Sequence, residues 1–251
     1  MILSKKIWRR VEAAAKFSSR NPGQGSIHGV GLRFEGTTLD IVATDGHRGH
    51  HERIELPEAG LSSGWARIFP AQIKALRAYG APEEVMIERV SPVPYDVLVE
   101  VPGVVRAYSG PALPGSTNFE GFEGILPYGP IRRGFGPAFS ATRTRGAWSK
   151  VDPVMAKSAA MNADVSVVQV MLLVGEPYAL SNEERKLADE EYPGAPRVHL
   201  NPEYWSGALA SFPGGRNAKI LVETTDSTLG PVRLTGQSDV GTITHLIMPM
   251  R

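Results

Sequence analysis

One pattern of strand, helix and strand occurs twice in this chain of 251 residues, and it restricts the chain to folds with two similar halves. The first copy spans residues 67–88 and the second spans residues 197–223, so the copies are roughly 130 residues apart. A proline opens each predicted helix, at Pro70 and at Pro202, and Asn201 is the predicted N-cap of the second. We therefore expect two domains of the same architecture.

Predicted helices and strands flank both copies in the same order. An amphipathic helix is predicted before each copy, at residues 4–18 and at residues 149–161. Two alternating strands are predicted after each copy, at residues 96–101, 104–109, 232–236 and 242–248. The expected fold class is α+β, with two similar domains that each place helices on one face of antiparallel sheets.

A segment rich in glycine and proline separates the two halves. Residues 126–137 show neither helical nor strand periodicity. We place the boundary at Gly134, which predicts domains at residues 1–134 and 135–251. Residues 175–196 carry a run of charges and are expected to form a solvated loop on the second domain.

The composition excludes several classes of protein. No cysteine is present, which excludes disulfides, thiolate metal sites and thiol redox chemistry. No apolar run approaches the roughly 20 residues that span a bilayer, and the first residues do not have the order of a signal peptide. We therefore expect a soluble, cytoplasmic protein without a cofactor.

The first predicted helix is cationic along one side. On a helical wheel Lys5, Arg9 and Lys16 fall on one stripe. The opposite, apolar stripe consists of Ile7, Val11 and Ala14. Such a stripe is either an ordinary solvated face or a surface that follows a phosphate backbone without reading its sequence.

Other basic residues lie in or beside the remaining predicted helices, whereas acidic residues gather in strands and loops. The formal net charge of +1 is small, so the placement of charges matters more than their sum. This segregation predicts a basic helical surface that could follow a phosphate backbone without reading its sequence. Its candidate residues are Lys5, Lys6, Arg9, Arg10, Lys16, Lys74, Arg77, Arg143, Arg145, Lys150 and Lys157.

The chain closes on an apolar strand that runs directly into Met248-Pro249-Met250-Arg251. Methionine is flexible and polarizable, and it is common at surfaces that bind peptides. The segment is therefore either a closing edge strand whose methionines cover a core or one wall of a partner-binding groove.

Residues 34–48 end in a tight turn, Thr44-Asp45-Gly46-His47-Arg48, after a predicted strand. This segment is similar to the middle domain of the bacterial replicative sliding clamp, the beta subunit of DNA polymerase III. Residues 247–251 resemble the end of the last clamp domain, and residues 198–209 resemble its asparagine-capped helix. Residues 119–127 occupy the place of the phenylalanine-led segment at the domain junction. The resemblance covers most of the chain in the right order and implies two sliding-clamp domains.

In that family the turn and the carboxyl terminus meet at the junction of the last two domains. They line a pocket for the short linear motifs of polymerases, the clamp loader and repair proteins. The resemblance therefore implies a DNA polymerase and a clamp loader as partners. The implied pocket residues are Ile27, Thr44, Gly46, His47, Arg48, Ile125, Leu229, Leu246, Met248, Pro249, Met250 and Arg251.

The chain departs from the family pattern around this pocket. The leucine expected after the turn is Gly49, and a proline and an arginine of the junction segment are Glu120 and Gly124. The terminal leucine expected after Arg251 is absent. These differences predict an altered peptide preference.

The family also implies an assembly. The bacterial clamp has three domains per chain and closes a ring of six from two chains, whereas this chain resembles the last two domains only. Three chains would supply six domains, so we expect a homotrimeric ring around duplex DNA. Such a ring is a processivity factor without catalytic activity, and its two-domain form suggests a phage or another mobile element.

Other functions fit parts of the sequence. A clamp homologue that does not close a ring could bind and titrate replication proteins through the same pocket. In a purely structural ring the cationic stripe would be incidental. A metal-dependent hydrolase would use His47, His50 and His51 with Asp45, but alternate strand residues point to opposite faces, and no second histidine pair completes the ligand set. Gly23 and Gly25 precede a strand instead of following one, which excludes a dinucleotide-binding fingerprint.

Overall fold

The computed structural model describes most of the chain in nine segments, namely residues 2–23, 27–57, 64–78, 83–90, 104–108, 139–150, 171–174, 197–225 and 229–250. The chain divides into two compact units. The first contains Met1–Arg133 with Val240–Thr242, and the second contains Gly134–Asp239 with Ile243–Arg251. The predicted boundary at Gly134 lies outside the described residues and stays a prediction.

The described part of the first unit consists of strands and two helices. Its elements are β1 (Ile2–Ser4), α1 (Lys5–Ala14), a 3-10 turn (Ala15–Phe17), β2 (Val30–Glu35), β3 (Thr38–Thr44), β4 (Arg48–Glu55), β5 (Gly64–Ile68), α2 (Pro70–Ala78), β6 (Glu84–Val90) and β7 (Val104–Tyr108). Neighbouring strands follow the order β1-β6-β7-β5-β2-β3-β4. The pairs are antiparallel except β6 with β7, which is parallel.

The second unit repeats the alternation of strands and helices. Its described elements are β8 (Phe139–Thr144), α3 (Arg145–Trp148), β9 (Met171–Val174), β10 (Arg197–Leu200), α4 (Pro202–Ser211), a 3-10 turn (Gly215–Asn217), β11 (Lys219–Thr224), β12 (Val232–Gln237) and β13 (Gly241–Ile247), whose first two residues are assigned to the first unit. Four strands follow the order β13-β12-β11-β8, and β9 pairs with β10 in parallel.

The predicted repeat is present in both units. Pro70 begins α2, and Asn201 caps α4 by accepting hydrogen bonds from the amides of Glu203 and Tyr204. The parallel pairs β6–β7 and β9–β10 differ from the all-antiparallel expectation. Parallel neighbours need a connection of about a dozen residues or more, and the chain between the partners of each pair is that long. Of the predicted elements, the strand at 96–101 and most of the helix at 149–161 lie outside the described residues.

Helix α1 has one buried and one exposed side. Ser4 caps it by accepting a hydrogen bond from the amide of Ile7, at 3.5 Å. Trp8, Val11 and Ala14 form the buried stripe. Ile7, which the wheel assigned to that stripe, is half-buried, and Trp8, which the wheel did not assign to it, is buried. On the side of α1 opposite the buried stripe, Lys6 and Arg9 are exposed.

A buried ion pair joins α1 to strand β4. The Nε of Arg10 donates to both carboxylate oxygens of Glu52, at 3.0 and 2.8 Å. The Glu52 side chain is 0% exposed and that of Arg10 is 11% exposed. Glu52 lies opposite Ile41 in the β3–β4 register, so α1 covers the sheet face that carries these two residues.

The opposite face of the same two strands carries a second polar cluster. Asp40 accepts hydrogen bonds from Arg53, at 2.9 and 3.0 Å, and its carboxylate lies 2.8 Å from the Nε2 of His51. Burial alone would raise the pKa of Asp40, but the hydrogen bonds and charges of His51 and Arg53 outweigh it and hold that pKa below its ordinary value. The carboxylate is therefore the form that the folded state favours.

Two tryptophans organise the second unit. The indole of Trp148 donates to the carbonyl of Ile220 at 3.0 Å, and the indole of Trp205 donates to the carbonyl of Trp148 at 3.2 Å. The rings meet edge to face with centroids 6.1 Å apart. Both buried indole N–H groups thus have acceptors, which removes the cost of burying them.

The substitution Arg10→Met tests the buried ion pair. It leaves the Glu52 carboxylate in a dry site without the guanidinium, and we expect a loss of about 3–5 kcal/mol in the free energy of unfolding. Urea denaturation followed by circular dichroism measures it. Adding Glu52→Gln should restore more than half of the loss, because the buried charge is then gone.

Arg33→Met is the matched control, since Arg33 pairs with Glu35 on the surface, where side chains are 36% and 67% exposed. Its expected cost is about 0–1 kcal/mol. Equal costs at Arg10 and Arg33 would contradict the role given to the buried pair.

Candidate functional site

The turn at residues 44–48 is held by its own side chains. The Thr44 hydroxyl donates to the carbonyl of Arg48 at 2.8 Å and accepts from the amide of Gly46 at 3.0 Å. One carboxylate oxygen of Asp45 accepts from the amides of His47 and Arg48, both at 3.0 Å. The turn is therefore ordered before any ligand arrives.

Gly46 is required by the shape of this turn. Its φ of 91° lies in the left-handed region, where a residue with a side chain is strained. A Cβ at this position would lie 3.8 Å from the Cδ1 of Ile27. Ile27 and Gly46, both implied pocket residues, are thus neighbours in the first unit.

Arg48 connects the turn to the segment that follows helix α1. Its Nε donates to the second carboxylate oxygen of Asp45 at 2.9 Å, and its Nη2 donates to the carbonyl of Lys16 at 3.0 Å. The guanidinium lies over the ring of Phe17, 5.0 Å from the centroid. Within the first unit the fold therefore brings together the predicted residues Ile27, Thr44, Gly46, His47 and Arg48.

The terminal segment of the second unit is tied down almost to its end. The amide of Met250 donates to the carbonyl of His199 in β10, at 2.8 Å. Leu246 is buried, Pro249 and Met250 are half-buried, and Met248 is 42% exposed. That backbone bond anchors the segment to β10.

The remaining implied pocket residues are distributed differently. Leu229 is exposed just before β12. Ile125 and Arg251 lie outside the described residues. Sequence reasoning named Lys16 only as a DNA-facing residue and did not name Phe17 or His199. The contacts of Lys16 and His199 use backbone carbonyls, which no sequence pattern reveals.

Several of the predicted DNA-facing residues are exposed, namely Lys6, Arg9, Lys16, Lys74, Arg77 and Lys150. Contacts within the protein join Lys5 to Glu83, Arg10 to Glu52, Arg77 to Glu12, Arg143 to the ring of Trp148, and Arg145 to the carbonyl of Phe212. Lys157 lies outside the described residues.

Arg10 is the clearest departure from that prediction. Its guanidinium is enclosed against Glu52, so it is not part of an exposed cationic surface. The helical wheel could not show this, because the carboxylate comes from a strand 42 residues later in the chain.

The histidines considered as metal ligands have other surroundings. His50 is buried and stacks on Phe17 with ring centroids 5.3 Å apart, and His51 is bonded to Asp40. His47 is exposed on the turn, outside β4. Among the residues that the structure describes, no group of three or more histidine, cysteine or acidic side chains is arranged to hold a metal ion.

The described helices are short. Within the described ranges, none is long and apolar enough to cross a membrane.

Comparison with known proteins identifies the fold. No protein-family model matches the sequence, and no curated protein matches it. Among solved structures, the DNA polymerase sliding clamp of Bacillus subtilis matches all of this chain and 64% of its own, with a TM-score of 0.58 and 14% identity. The sliding clamp of Pseudomonas aeruginosa matches all of this chain and 66% of its own, with a TM-score of 0.57 and 14% identity.

The DNA polymerase III beta subunit of Thermotoga maritima gives a TM-score of 0.56 at 10% identity, over all of this chain and 65% of that one. The chain thus spans about two thirds or slightly less of the solved clamps that it matches. The resemblance drawn from the turn and the terminal strand is confirmed at the level of fold: this chain has the α+β sliding-clamp fold over its whole length.

Proposed function

We propose that this protein is a DNA sliding clamp, a processivity factor without catalytic activity that encircles duplex DNA and tethers a polymerase to it. The match of the whole chain to solved sliding clamps carries this proposal. The fold alone does not specify a function. The surfaces of the two units supply the further support.

A cationic helix face supports contact with DNA. Lys6 and Arg9 are exposed on α1, and Lys16 is exposed on the 3-10 turn that continues it. The opposite stripe of α1 is buried in the core of the first unit, so these cations project away from the protein interior. Lysine and arginine at such a surface bind phosphates by releasing counterions, which requires no particular base sequence.

The assembly that we propose is a homotrimer. The bacterial clamp that the sequence resembles closes a ring of six domains, and three chains with two clamp domains each would supply the same number. A head-to-tail interface that closes by rotation produces such a ring. A nearly neutral protein can then stay on DNA through topology, while the exposed cations make weak and mobile contacts.

The first test measures mass and topological retention together. Light scattering at micromolar concentration should give about three times the chain mass of 27.1 kDa. Protein assembled at low salt with a closed circular plasmid should stay with the plasmid in gel filtration after the salt is raised. A restriction enzyme that linearises the plasmid should release it.

A solution mass equal to that of one chain, together with equal retention on circular and linear DNA, would contradict the proposed ring. That result would favour the clamp homologue that binds replication proteins without closing around DNA.

Charge reversal tests the cationic face. The variant Arg9→Glu with Lys16→Glu should weaken binding to a 30-base-pair duplex about tenfold or more at low salt, and it should lower the salt slope by about 0.9 for each lost phosphate contact. Fluorescence anisotropy over a salt series measures both quantities.

Arg33→Glu is the control for this experiment. Arg33 lies opposite Asp40 in the β2–β3 register, on the sheet face that α1 does not cover. The Arg33→Glu variant should bind the duplex with an affinity and a salt slope close to those of the unchanged protein. A similar loss at both sites would show that net charge, and not the helix face, determines binding.

We also propose that the turn at residues 44–48 and the terminal segment at residues 246–251 bind the short linear motifs of partner proteins, among them the polymerase and the clamp loader. The ordered turn supplies backbone and imidazole groups, and Met248 supplies exposed apolar surface. A methionine of this kind adapts to a bulky apolar anchor such as leucine or phenylalanine. Gly49, in place of the leucine of the family, fits a site with a different preference.

The variant Met248→Ala tests this surface with a fluorescein-labelled pentapeptide that ends in Leu-Phe. We expect about a tenfold weaker affinity in anisotropy titrations, since one apolar contact of an anchor is lost. Met86→Ala is the matched control, because Met86 on β6 is 40% exposed and belongs to no proposed site. Equal affinities for both variants would rule out a role of Met248 in peptide binding.

A further inference from the structure

We infer that Arg48 is a positioning residue, which fastens the turn at residues 44–48 to the segment after helix α1 and so presents His47 to the peptide. The resemblance to clamps places Arg48 in the pocket. It does not distinguish an arginine that contacts the peptide from one that supports the turn. This inference rests on the proposed peptide-binding function.

The donor geometry of Arg48 carries the first step. Its Nε donates to Asp45 at 2.9 Å, while its Nη2 donates to the carbonyl of Lys16 at 3.0 Å. The planar guanidinium can make both bonds at once because its donors point in fixed, different directions. A lysine has a single ammonium and cannot reproduce this bridge.

Packing makes the bridge stiff. The guanidinium lies 5.0 Å from the ring centroid of Phe17, which is buried and stacked on His50. The Arg48 side chain is 17% exposed and that of Asp45 is 19% exposed. Hydrogen bonds to charged groups are stronger than neutral ones, and partial burial protects them from competing water.

The backbone supplies a second link between the same two segments. The amide of Ser19 donates to the carbonyl of Thr44 at 3.0 Å and also lies 3.1 Å from the carbonyl of Ile27. The segment after α1 is therefore attached to the beginning of the turn by Ser19 and to its end by Arg48. These attachments fix the turn as a unit against the helix.

Asp45 connects the guanidinium of Arg48 to the backbone of His47. One of its oxygens holds the Arg48 guanidinium, and the other accepts from the amides of His47 and Arg48. Loss of the guanidinium frees the carboxylate to rotate away from those amides. The backbone of His47, whose side chain is exposed, then loses this acceptor although the residue itself is unchanged.

The alternative role is a direct contact between the guanidinium and an acidic group of the peptide. The two roles differ in their dependence on charge. If the guanidinium contacts the peptide, its loss weakens the affinity only for acidic peptides, and Arg48→Lys largely keeps that affinity. If the guanidinium supports the turn, Arg48→Lys and Arg48→Gln both weaken the affinity, and they do so equally for every peptide.

The experiment uses the full chain and two fluorescein-labelled pentapeptides that end in Leu-Phe and differ by one Asp or Asn at the third position. We expect both Arg48 variants to bind each peptide roughly tenfold more weakly, with the ratio of the two affinities unchanged. Arg33→Gln, which removes an exposed arginine from a surface pair, is the control and should bind like the unchanged protein.

A second measurement reports on the turn without any peptide. Amide hydrogen exchange, followed by NMR, should become at least about fivefold faster at His47 and Arg48 in both variants, because their acceptor is no longer held. Exchange at the amides of β12 should not change, which separates a local effect from global unfolding.

Retention of affinity in Arg48→Lys, or a loss confined to the Asp peptide, would overturn the inference in favour of a contact. Unchanged exchange at His47 and Arg48 would overturn it as well. If the unchanged protein binds neither peptide, the proposed peptide-binding function fails, and the exchange measurement alone decides whether Arg48 fastens the turn.

Discussion

The buried ion pair between Arg10 and Glu52 is the constraint on which the first unit depends. A carboxylate with 0% exposure inside an apolar sheet face is strongly unfavourable unless a cation meets it. Only one rotation of helix α1 about its axis brings Arg10 to Glu52 while Trp8, Val11 and Ala14 pack against the core. That rotation turns Lys6 and Arg9 outward, so a buried interaction fixes the direction of the exposed cations.

The same docking places the end of α1 beside the turn at residues 44–48. Lys16 illustrates the connection, because its side chain belongs to the cationic face and its carbonyl accepts from Arg48. The proposed DNA-facing helix and one part of the proposed peptide site thus share a structural support. In the part of the chain that the structure describes, the turn at residues 44–48 and the end of α1 are short, internally bonded segments, and functional groups on such segments keep their geometry without a ligand.

Strand β4 shows why the sequence was informative in some places and misleading in others. Consecutive polar residues at positions 50–53 are typical of an exposed strand, and the histidines among them raised the alternative of a metal site, which their spacing fits poorly. In the structure His50, His51 and Glu52 are buried, and partners come from both faces of the strand, with Arg10 on one side and Asp40 on the other. Contacts between residues that are far apart in the chain decided these roles.

The sequence by itself determined the repeated unit of strand, helix and strand, the cap at Asn201, the prolines that open α2 and α4, and the tight turn at residues 44–48. These features arise from contacts within a few residues, and such contacts leave a periodic or positional pattern. Tertiary structure decided which cations are exposed, which parallel pairs form, and that Arg48 and Met250 bond to the carbonyls of Lys16 and His199. The physical reason is that a backbone carbonyl or a buried counter-charge belongs to no local pattern, and only folding brings it within hydrogen-bonding distance.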